Sequence, residues 1–489
     1  MNHISKIKNE KGSLIVQALV FGSIAVVMVG ALISWAGVNM KASRVAMYRE
    51  QALQIAEAGV DYYRWHLAHA STDYQDGTGL PGSYIHDFFD KDGIKIGTFT
   101  LDITPPPIGS TLVRIKSTGK IVADPTVSRS IITGLAIPSL AKYAIASNSD
   151  IRFGAGTEVF GPIHSNGGIR FDGLAHNLVT SSRPDYNDPD HSGNNEFGVH
   201  THVTAPPGSG IIDTFRAAEA PPTTPVANRT DIFVAGRSFP IPAIDFLGFT
   251  SDLAQIKADA QSGGRYFAGS GALGYRVLFK TDDTFDLYRV NQITTTPSGC
   301  AESTTGWGTW SIRSGAGAQT FLANYPMPAN GLIFIEDHVW AEGQINSSRA
   351  TLAVGRFPDN SATRPNIMIN NNLLYTNYDG QDVIALIAQG NITAGLSSAD
   401  TMRIDAALVA QNGRAGRFHY SSSCGVGYDR NTITLYGMIA SNVRYGFAYT
   451  DGTGYNTRNI IYDGNLLYGP PPSFPLTSDQ YQIVSWQEL

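Results

Sequence analysis

A long uncharged segment near the start of the chain constrains the fold more than any other feature of the sequence. No side chain from Gly12 to Met40 carries a charge, and this length exceeds the roughly 20 apolar residues that span a bilayer as a helix. Three lysines precede the segment against a single acidic residue, Glu10. Such a bias favours an N-terminus in the cytoplasm and export of the residues that follow. The sequence therefore predicts a transmembrane segment.

The apolar segment does not end as a secretory signal would, in a small-residue cleavage site followed by a change of character. Apolar residues instead continue at helical spacing, and charged residues lie elsewhere around the same axis. The apolar stripe consists of Leu53, Ala56, Val60, Tyr63 and Leu67. Because the first proline is Pro81, the pattern predicts one helix over residues 13–70, roughly 80 Å long at 1.5 Å per residue.

Two short motifs in this region resemble a known family. The leader ending in Lys11-Gly12-Ser13, directly before the apolar run, resembles the class III signal of type IV prepilins. The segment Ala56-Glu57-Ala58-Gly59 is similar to the one that closes the N-terminal helix of PilX-type minor pilins. The resemblance is confined to the leader and the helix. An ordinary signal-anchor helix with no role in a pilus is the alternative.

The resemblance implies a processing route for the chain. Prepilin peptidase would remove residues 1–12 by cutting between Gly12 and Ser13, and the new Ser13 amine would be methylated. The protein would lie in the cytoplasmic membrane as a single-pass protein with its N-terminus inside, and then in an extracellular pilus. Its implied partners are other pilin subunits, bound through the N-terminal helix, and the pilus assembly machinery.

Gln17 departs from the pattern of the major pilins, which carry a glutamate at this position. A carboxylate buried in lipid must be paired to be tolerated, and the family's glutamate is thought to meet the N-terminal amine of a neighbouring subunit. Gln17 can form hydrogen bonds but supplies no charge. This difference favours a minor pilin, present in few copies or at the tip of the pilus.

Residues 71–137 carry the signals of a small sheet. Three β-like stretches follow the helix, over residues 94–103, 111–122 and 128–137, and apolar and polar residues alternate in the first two. An antiparallel sheet packed on the second half of the long helix would give the α+β head of a pilin.

A weak repeat follows residue 137, in which a short apolar strand ends in a small residue, then Ser or Gln, then Asn or Gly. Its instances begin at Ile145, Ile163, Ile387, Val409 and Ile439. Such rungs favour a right-handed β-helix over residues 138–173 and 331–489, with an irregular β-sandwich as the alternative. Residues 174–330, where only the stretch from Thr250 predicts a helix, are interpreted as an insertion or a subdomain.

Composition limits the remaining functions. A net charge of −6 offers no general basic surface to nucleic acid. Cys300 and Cys424 are the only cysteines, and without a Cys/His cluster no metal ligand or cofactor is predicted. The two cysteines either form a disulfide, closing a loop of roughly 120 residues, or remain as thiols.

No motif predicts catalysis. The glycine-rich run Gly269–Gly274 is followed by a strand where a dinucleotide site requires a helix. The loop Asp185–Gly193 holds oxygen ligands suited to Ca²⁺ but no carboxylate that closes an EF-hand. His164 and Ser165 are adjacent without the spacing of a triad. No catalytic residue is therefore predicted.

The sequence favours a non-catalytic minor type IV pilin that takes part in pilus assembly and surface adhesion. Surface glycans are a candidate ligand, since aromatic residues stand beside Asn and Asp in two loops that can be exposed. Two other functions stay open. One is a membrane-tethered, exported β-helix enzyme that acts on carbohydrates, and the other is a pseudopilin of a type II secretion system.

Overall fold

The structure is a computed structural model that describes residues 11–190, 193–205, 226, 228–246, 248–300 and 308–489. The first ten residues of the expected leader lie outside this part, as do His191 and Ser192 of the candidate Ca²⁺ loop. The chain divides into two compact units. Unit 1 contains the residues up to Pro105, Val113–Ala136 and Tyr481–Leu489, and unit 2 contains Pro106–Leu112 and Ile137–Gln480.

The described residues form two α-helices and a large set of strands. The helices are α1 (Lys11–His69) and α2 (Gly248–Gly263). The strands, in chain order, are β1 (Ser83–Phe89), β2 (Lys95–Thr104), β3 (Val113–Ile121), β4 (Ser128–Ala136), β5 (Ile145–Ser147), β6 (Ile151–Phe153), β7 (Thr157–Phe160), β8 (Ile163–Ser165), β9 (Ile169–Phe171), β10 (Leu174–Ala175), β11 (Val179–Ser181), β12 (Asp185–Tyr186), β13 (Glu196–Phe197), β14 (Val199–His200), β15 (Arg237–Ser238), β16 (Arg265–Phe267), β17 (Gly274–Phe279), β18 (Thr284–Val290), β19 (Gln319–Pro326), β20 (Leu332–Ile335), β21 (Val339–Gln344), β22 (Arg349–Val354), β23 (Ile367–Met368), β24 (Leu373–Leu374), β25 (Val383–Ala388), β26 (Ile392–Ala394), β27 (Thr401–Ala410), β28 (Ala415–Arg417), β29 (Asp429–Ser441), β30 (Gly454–Tyr462) and β31 (Gln482–Glu488).

The long N-terminal helix and the α+β class are confirmed. Helix α1 is continuous over 59 residues, as expected for a stretch that contains no proline. From Ala52 onward one stripe of the helix is buried in unit 1. The buried side chains are Ala52, Ile55, Ala56, Val60, Tyr63 and Leu67.

Unit 1 packs α1 on an antiparallel sheet of strand order β1-β2-β3-β4-β31. Strands β2, β3 and β4 coincide with the three predicted stretches, whereas β1 was not predicted. The last strand corrects the predicted extent of the β-helix to residue 489. Strand β31 belongs to unit 1, where it pairs antiparallel with β4. Without β31, the edge of β4 would present unpaired backbone N–H and C=O groups.

Glycines allow the backbone of α1 to approach this sheet closely. A Cβ atom on Gly119 of β3 would lie 2.0 Å from the carbonyl oxygen of Ala52 in α1. A Cβ atom on Gly59 would lie 2.4 Å from Oγ of Ser117. A side chain at either position would therefore push the helix and the sheet apart.

Unit 2 is built mainly from parallel strands. One ladder has the spatial order β15-β11-β8-β5-β29-β27-β25-β22-β20-β16, with every neighbouring pair parallel. A second ladder has the order β10-β7-β30-β29-β27-β24-β21-β17 and ends in the antiparallel strands β18 and β19. Shorter parallel ladders join β14 to β9 and β6, and β28 to β26, β23 and β21.

The order of strands in space differs from their order in the chain. Strands β5 and β8 from the beginning of unit 2 lie beside β29 from its end. The chain then runs from β15 at one end of the first ladder to β16 at the other. Because β10, β11, β15, β16 and β17 belong to these ladders, the expected separation of residues 174–330 as an insertion or subdomain is corrected.

Strands β20 and β25 of the first ladder are buried on both faces, which explains their continuous apolar sequences. Every residue of β25 (Val383–Ala388) is buried. Leu386 belongs to one apolar core, and its neighbour Ile387 belongs to a second core that α2 covers with Leu253 and Ile256. Helix α2 lies in the region where the sequence predicted a helix.

Candidate functional site

The first part of α1 is an exposed apolar surface. Side chains such as Leu19 and Val26 are 71 % and 74 % exposed. In the described part of the chain, Leu14–His69 is the helix long and apolar enough to cross a membrane, judged by length and composition. Such a surface is unfavourable in water, at roughly 25 cal/mol per Å² of apolar area, so lipid or apolar helices are its expected surroundings.

The processing and assembly residues expected from the sequence belong to this helix. Gly12 and Ser13 lie in the first turn of α1. Gln17 is exposed on the apolar half. Gln17 can therefore contact the lipid or the apolar helices that are expected around α1.

The second motif of the helix joins α1 to unit 1. Ala56 and Gly59 are buried, Ala58 is partly buried and Glu57 is exposed. Ala56, Val60 and Ile131 of β4 form one apolar cluster. The small residues of the motif thus face the sheet, and the charged one faces away from it.

The end of α1 is fixed by polar contacts within unit 1. The Tyr63 hydroxyl donates to the carbonyl oxygen of Asp73 at 2.9 Å, and Nε2 of His66 lies 3.1 Å from Asp73 Oδ2. The Asp73 carboxylate also accepts hydrogen bonds from the backbone N–H groups of Gln75 and Gly77, at 2.8 and 2.7 Å. The Gln75 bond is the main reason that the pKa of Asp73 lies below its ordinary value.

A polar groove of about 560 Å³ lies on unit 2. Among its described lining residues, Asp337 is the one carboxylate. Its Oδ1 accepts a hydrogen bond from Arg356 at 2.5 Å, and its Oδ2 accepts one from the Ser270 hydroxyl at 2.6 Å. Burial lowers the pKa of the neighbouring His338 to about 4. In the part of the chain that the structure describes, the groove can form hydrogen bonds but does not present the pair of carboxylates that sugar hydrolysis needs.

His164 and Ser165 occupy structural positions in the ladder. His164 is buried, and its Nδ1 and Nε2 atoms each lie 3.1 Å from a polar oxygen, on Thr180 and Asn166 respectively. Burial lowers the pKa of His164. The Ser165 hydroxyl donates to the carbonyl oxygen of Ser149 at 2.7 Å, so the two residues do not face each other as base and nucleophile.

Two of the three acidic residues of the candidate Ca²⁺ loop pair with different side chains. Asp185 accepts a hydrogen bond from Asn195 at 2.6 Å, and Asp190 accepts one from Arg444 at 2.5 Å. The bond to Arg444 is the main reason that the pKa of Asp190 is lowered. Asp185 and Asp190 therefore bind different protein groups and do not face one shared cation site.

The two cysteines are joined. Cys300 and Cys424 form a disulfide across 124 residues of sequence. Cys424 is buried in an apolar cluster with Leu396 and Tyr420. The bond closes a loop within unit 2 and thereby restricts its unfolded chain.

One cluster of metal-ligating groups was missed by the sequence analysis. Asp188, His200 and His202 place one ligand atom each within 4.8 Å of the others. Burial opposes ionisation of Asp188, but hydrogen bonding to His200 holds its pKa well below the ordinary value. The spacing His200-Thr201-His202 was the available signal, because residues two apart in a strand point to the same side. Asp188 belongs to the loop that the sequence analysis considered for Ca²⁺, but nothing in the sequence linked it to the two histidines.

Comparisons with known proteins identify no family. No protein-family model and no curated protein matches the sequence. Among solved structures, a crystal structure of the competence-associated pilin ComZ from Thermus thermophilus is similar, at 13 % identity, with 90 % of this chain and 98 % of that chain covered and a TM-score of 0.29. A likeness this distant carries no argument about function.

Proposed function

We propose that the protein is a type IV pilin-like subunit of the minor kind, which enters the membrane through α1 and is then assembled into a pilus. One observation carries this proposal. Helix α1 is a single element with an exposed apolar first part and a second part that forms the core of unit 1. A simple anchor would need no such continuity, whereas a subunit that packs through its helix needs the helix to be rigidly joined to its folded part.

The proposed role of α1 has two stages. Before assembly its apolar part lies in the cytoplasmic membrane, with the N-terminus inside. After assembly the same surface packs against the helices of other pilin subunits, where small-residue and apolar contacts replace lipid. Gln17, which is exposed on this surface, would offer hydrogen bonds without a charge, in keeping with a subunit of low copy number.

Unit 2 is proposed to be the displayed part of the subunit. Its stacked parallel ladders favour a β-helix, which presents turns and loops along a rigid core. Adhesion to surface glycans is the proposed activity, since hydrogen-bonding side chains such as Asn366 and Asn391 line the polar groove beside Trp310. Catalysis forms no part of the proposal.

Two alternative functions would require different structural features. A membrane-tethered carbohydrate-active enzyme would need two carboxylates roughly 5 to 10 Å apart in one groove, and Asp337 is instead bound by Arg356. A pseudopilin of a type II secretion system would use α1 in the same way and would differ in the machinery that recruits it.

The proposal is tested by the mature N-terminus. The full chain is expressed in membranes with a prepilin peptidase, and the purified protein is measured by intact and peptide mass spectrometry. Loss of residues 1–12 and a methylated Ser13 are expected. Replacement of Gly12 by valine should abolish cleavage, whereas the same replacement at Gly22, which has open space around it, should leave cleavage unchanged.

The opposite results would overturn the proposal. An intact leader in the unsubstituted chain, or cleavage after the apolar segment, would leave a tethered or secreted β-protein. Cleavage that persists in the Gly12→Val variant would show that the peptidase cuts a different bond. The leader would then not function as a prepilin leader.

A further inference from the structure

Three metal-ligating side chains of unit 2 converge from two segments of the chain. His200 is the last residue of β14 and His202 follows it, whereas Asp188 comes from the loop after β12. Nε2 of His200 lies 3.2 Å from Nε2 of His202 and 3.7 Å from Oδ2 of Asp188. All three ligand atoms lie within 4.8 Å of one another.

The distance between the two imidazole nitrogens fits a shared ion. In a tetrahedral site with metal–nitrogen bonds of about 2.0–2.1 Å, two ligand nitrogens are separated by about 3.3 Å. The observed separation of 3.2 Å between the two Nε2 atoms is close to this distance. The Asp188 oxygen, at 3.7 Å from His200 Nε2, needs only a small shift to become a third ligand.

Two of the three residues of the cluster are buried. His200 is fully buried and Asp188 is 2 % exposed. Among the described residues, Nδ1 of His200 has no hydrogen-bond partner, so Nε2 is the ring atom through which His200 interacts. The Asp188 carboxylate is already paired in part, because its Oδ1 accepts a hydrogen bond from the backbone N–H of Asp190 at 2.9 Å, so Oδ2 is the oxygen that would bind an ion.

The neighbouring residues position the cluster. Asp172 accepts a hydrogen bond from the backbone N–H of His202 at 2.9 Å, and its other oxygen accepts one from Nε of Arg170 at 2.7 Å. Arg170 also reaches Asp188 Oδ2 at 3.4 Å, where it competes with a cation. This competition should weaken the binding of a cation.

We propose that Asp188, His200 and His202 bind one divalent transition-metal ion of the Zn²⁺ class. Two imidazoles and one carboxylate suit such an ion, whereas Ca²⁺ and Mg²⁺ prefer oxygen ligands alone. Water from the partly exposed side of His202 completes the coordination. The ion ties the loop that carries Asp188 to the end of β14.

The test is a Zn²⁺ titration of the tag-free, full-length protein in detergent after treatment with a chelator. Calorimetry and elemental analysis should give one ion per chain, and replacing Zn²⁺ by Co²⁺ should give the visible absorption of a site with nitrogen ligands. The His202→Ala variant should bind at least tenfold more weakly. His176→Ala is the matched control, because His176 is a partly exposed histidine of unit 2 that pairs with Glu158, and it should bind as the unsubstituted protein does.

Measurements of thermal stability distinguish loss of the metal site from loss of folding. Metal-free His202→Ala and unsubstituted protein should unfold at similar temperatures, and Zn²⁺ should raise the unfolding temperature of the unsubstituted protein alone. Absence of Zn²⁺ binding at millimolar concentration, equal binding by the His202→Ala variant, or a preference for Ca²⁺ would overturn the inference. None of these outcomes depends on cleavage of the leader, so the inference and the proposed function can fail separately.

Discussion

At Gly119 the backbone of α1 lies close to the backbone of its sheet. Alanine at this position would place Cβ 2.0 Å from the carbonyl oxygen of Ala52 and 2.6 Å from the backbone nitrogen of Ala56. Neither backbone atom can rotate away, so the helix must move. Overpacking of this kind costs about 1–3 kcal/mol.

The Gly119→Ala variant should therefore loosen unit 1. Hydrogen exchange measured by mass spectrometry should become faster in β3 and in the second half of α1, and exchange in β25 of unit 2 should stay unchanged. Gly82→Ala is the control, since a Cβ atom at Gly82 meets no atom within 4 Å. Equal exchange in the two variants would show that the helix does not depend on this close approach.

His338 makes unit 2 sensitive to acid. Burial lowers its pKa to about 4, although the neighbouring Asp337 acts in the opposite direction, and its Nδ1 lies 3.0 Å from the backbone N–H of Asn366. Between pH 6.5 and 4 the unfolded chain binds more protons at this residue than the folded chain does, so stability falls as the pH decreases through this range. The loss reaches about 3 kcal/mol at most.

The His338→Asn variant tests this dependence, because it removes the titration and keeps an acceptor for the Asn366 N–H group. Unfolding by urea at pH 7 and at pH 4 should show a smaller loss of stability in the variant than in the unsubstituted protein. Equal losses would assign the acid sensitivity to other groups.

The sequence predicted the burial of single residues only where they belong to a periodic apolar pattern. The stripe of α1 was predicted because Ala56, Val60, Tyr63 and Leu67 recur at helical spacing, and all four are buried. The approach of Asp188 to His200 was not predicted. Asp188 follows β12, which pairs with β13 directly before β14, and strands of two residues are too short to show a sequence period that predicts this pairing.

At the scale of elements, the repeat predicted part of the register. Ile145, Ile163 and Ile439 are aligned in neighbouring strands, as the repeat implies, and so are Ile387 and Val409. The two groups are offset from each other by one residue, because Leu408 rather than Val409 pairs with Ile439. A shift of one residue turns side chains to the opposite face, and both faces are apolar here, so the sequence could not reveal it.

The disulfide is the element-scale feature with the largest expected effect on stability. Cys300 and Cys424 close a loop of 124 residues, and a crosslink of this length restricts the unfolded chain by about 4 kcal/mol. The Cys300→Ser/Cys424→Ser variant should unfold at a lower urea concentration than the oxidised protein. The unsubstituted protein in a reducing agent should match the variant, and a variant as stable as the oxidised protein would contradict the expectation.

At the scale of the whole molecule, the chain leaves unit 1 after β4 and returns to it for β31. Strand β31 pairs with β4 from Gln482 to Glu488, and the Thr133 hydroxyl of β4 donates to the carbonyl oxygen of Ser485 at 2.7 Å. The sequence did not reveal this pairing, since unit 2 separates the two strands in the chain. Unit 1 is therefore complete only after unit 2 has been made.

Removal of β31 should weaken unit 1 and spare unit 2. A chain that ends at Gln480 loses the backbone hydrogen bonds that β31 makes with β4 and leaves the edge of β4 unpaired. Hydrogen exchange should rise in β4, β3 and the second half of α1, while the buried strands β25 and β27 of unit 2 keep their protection. A chain that keeps β31 but carries Trp486→Ala, at a side chain 48 % exposed, controls for loss of a side chain alone and should change exchange much less. Loss of protection in β25 and β27 as well would show that the two units unfold together.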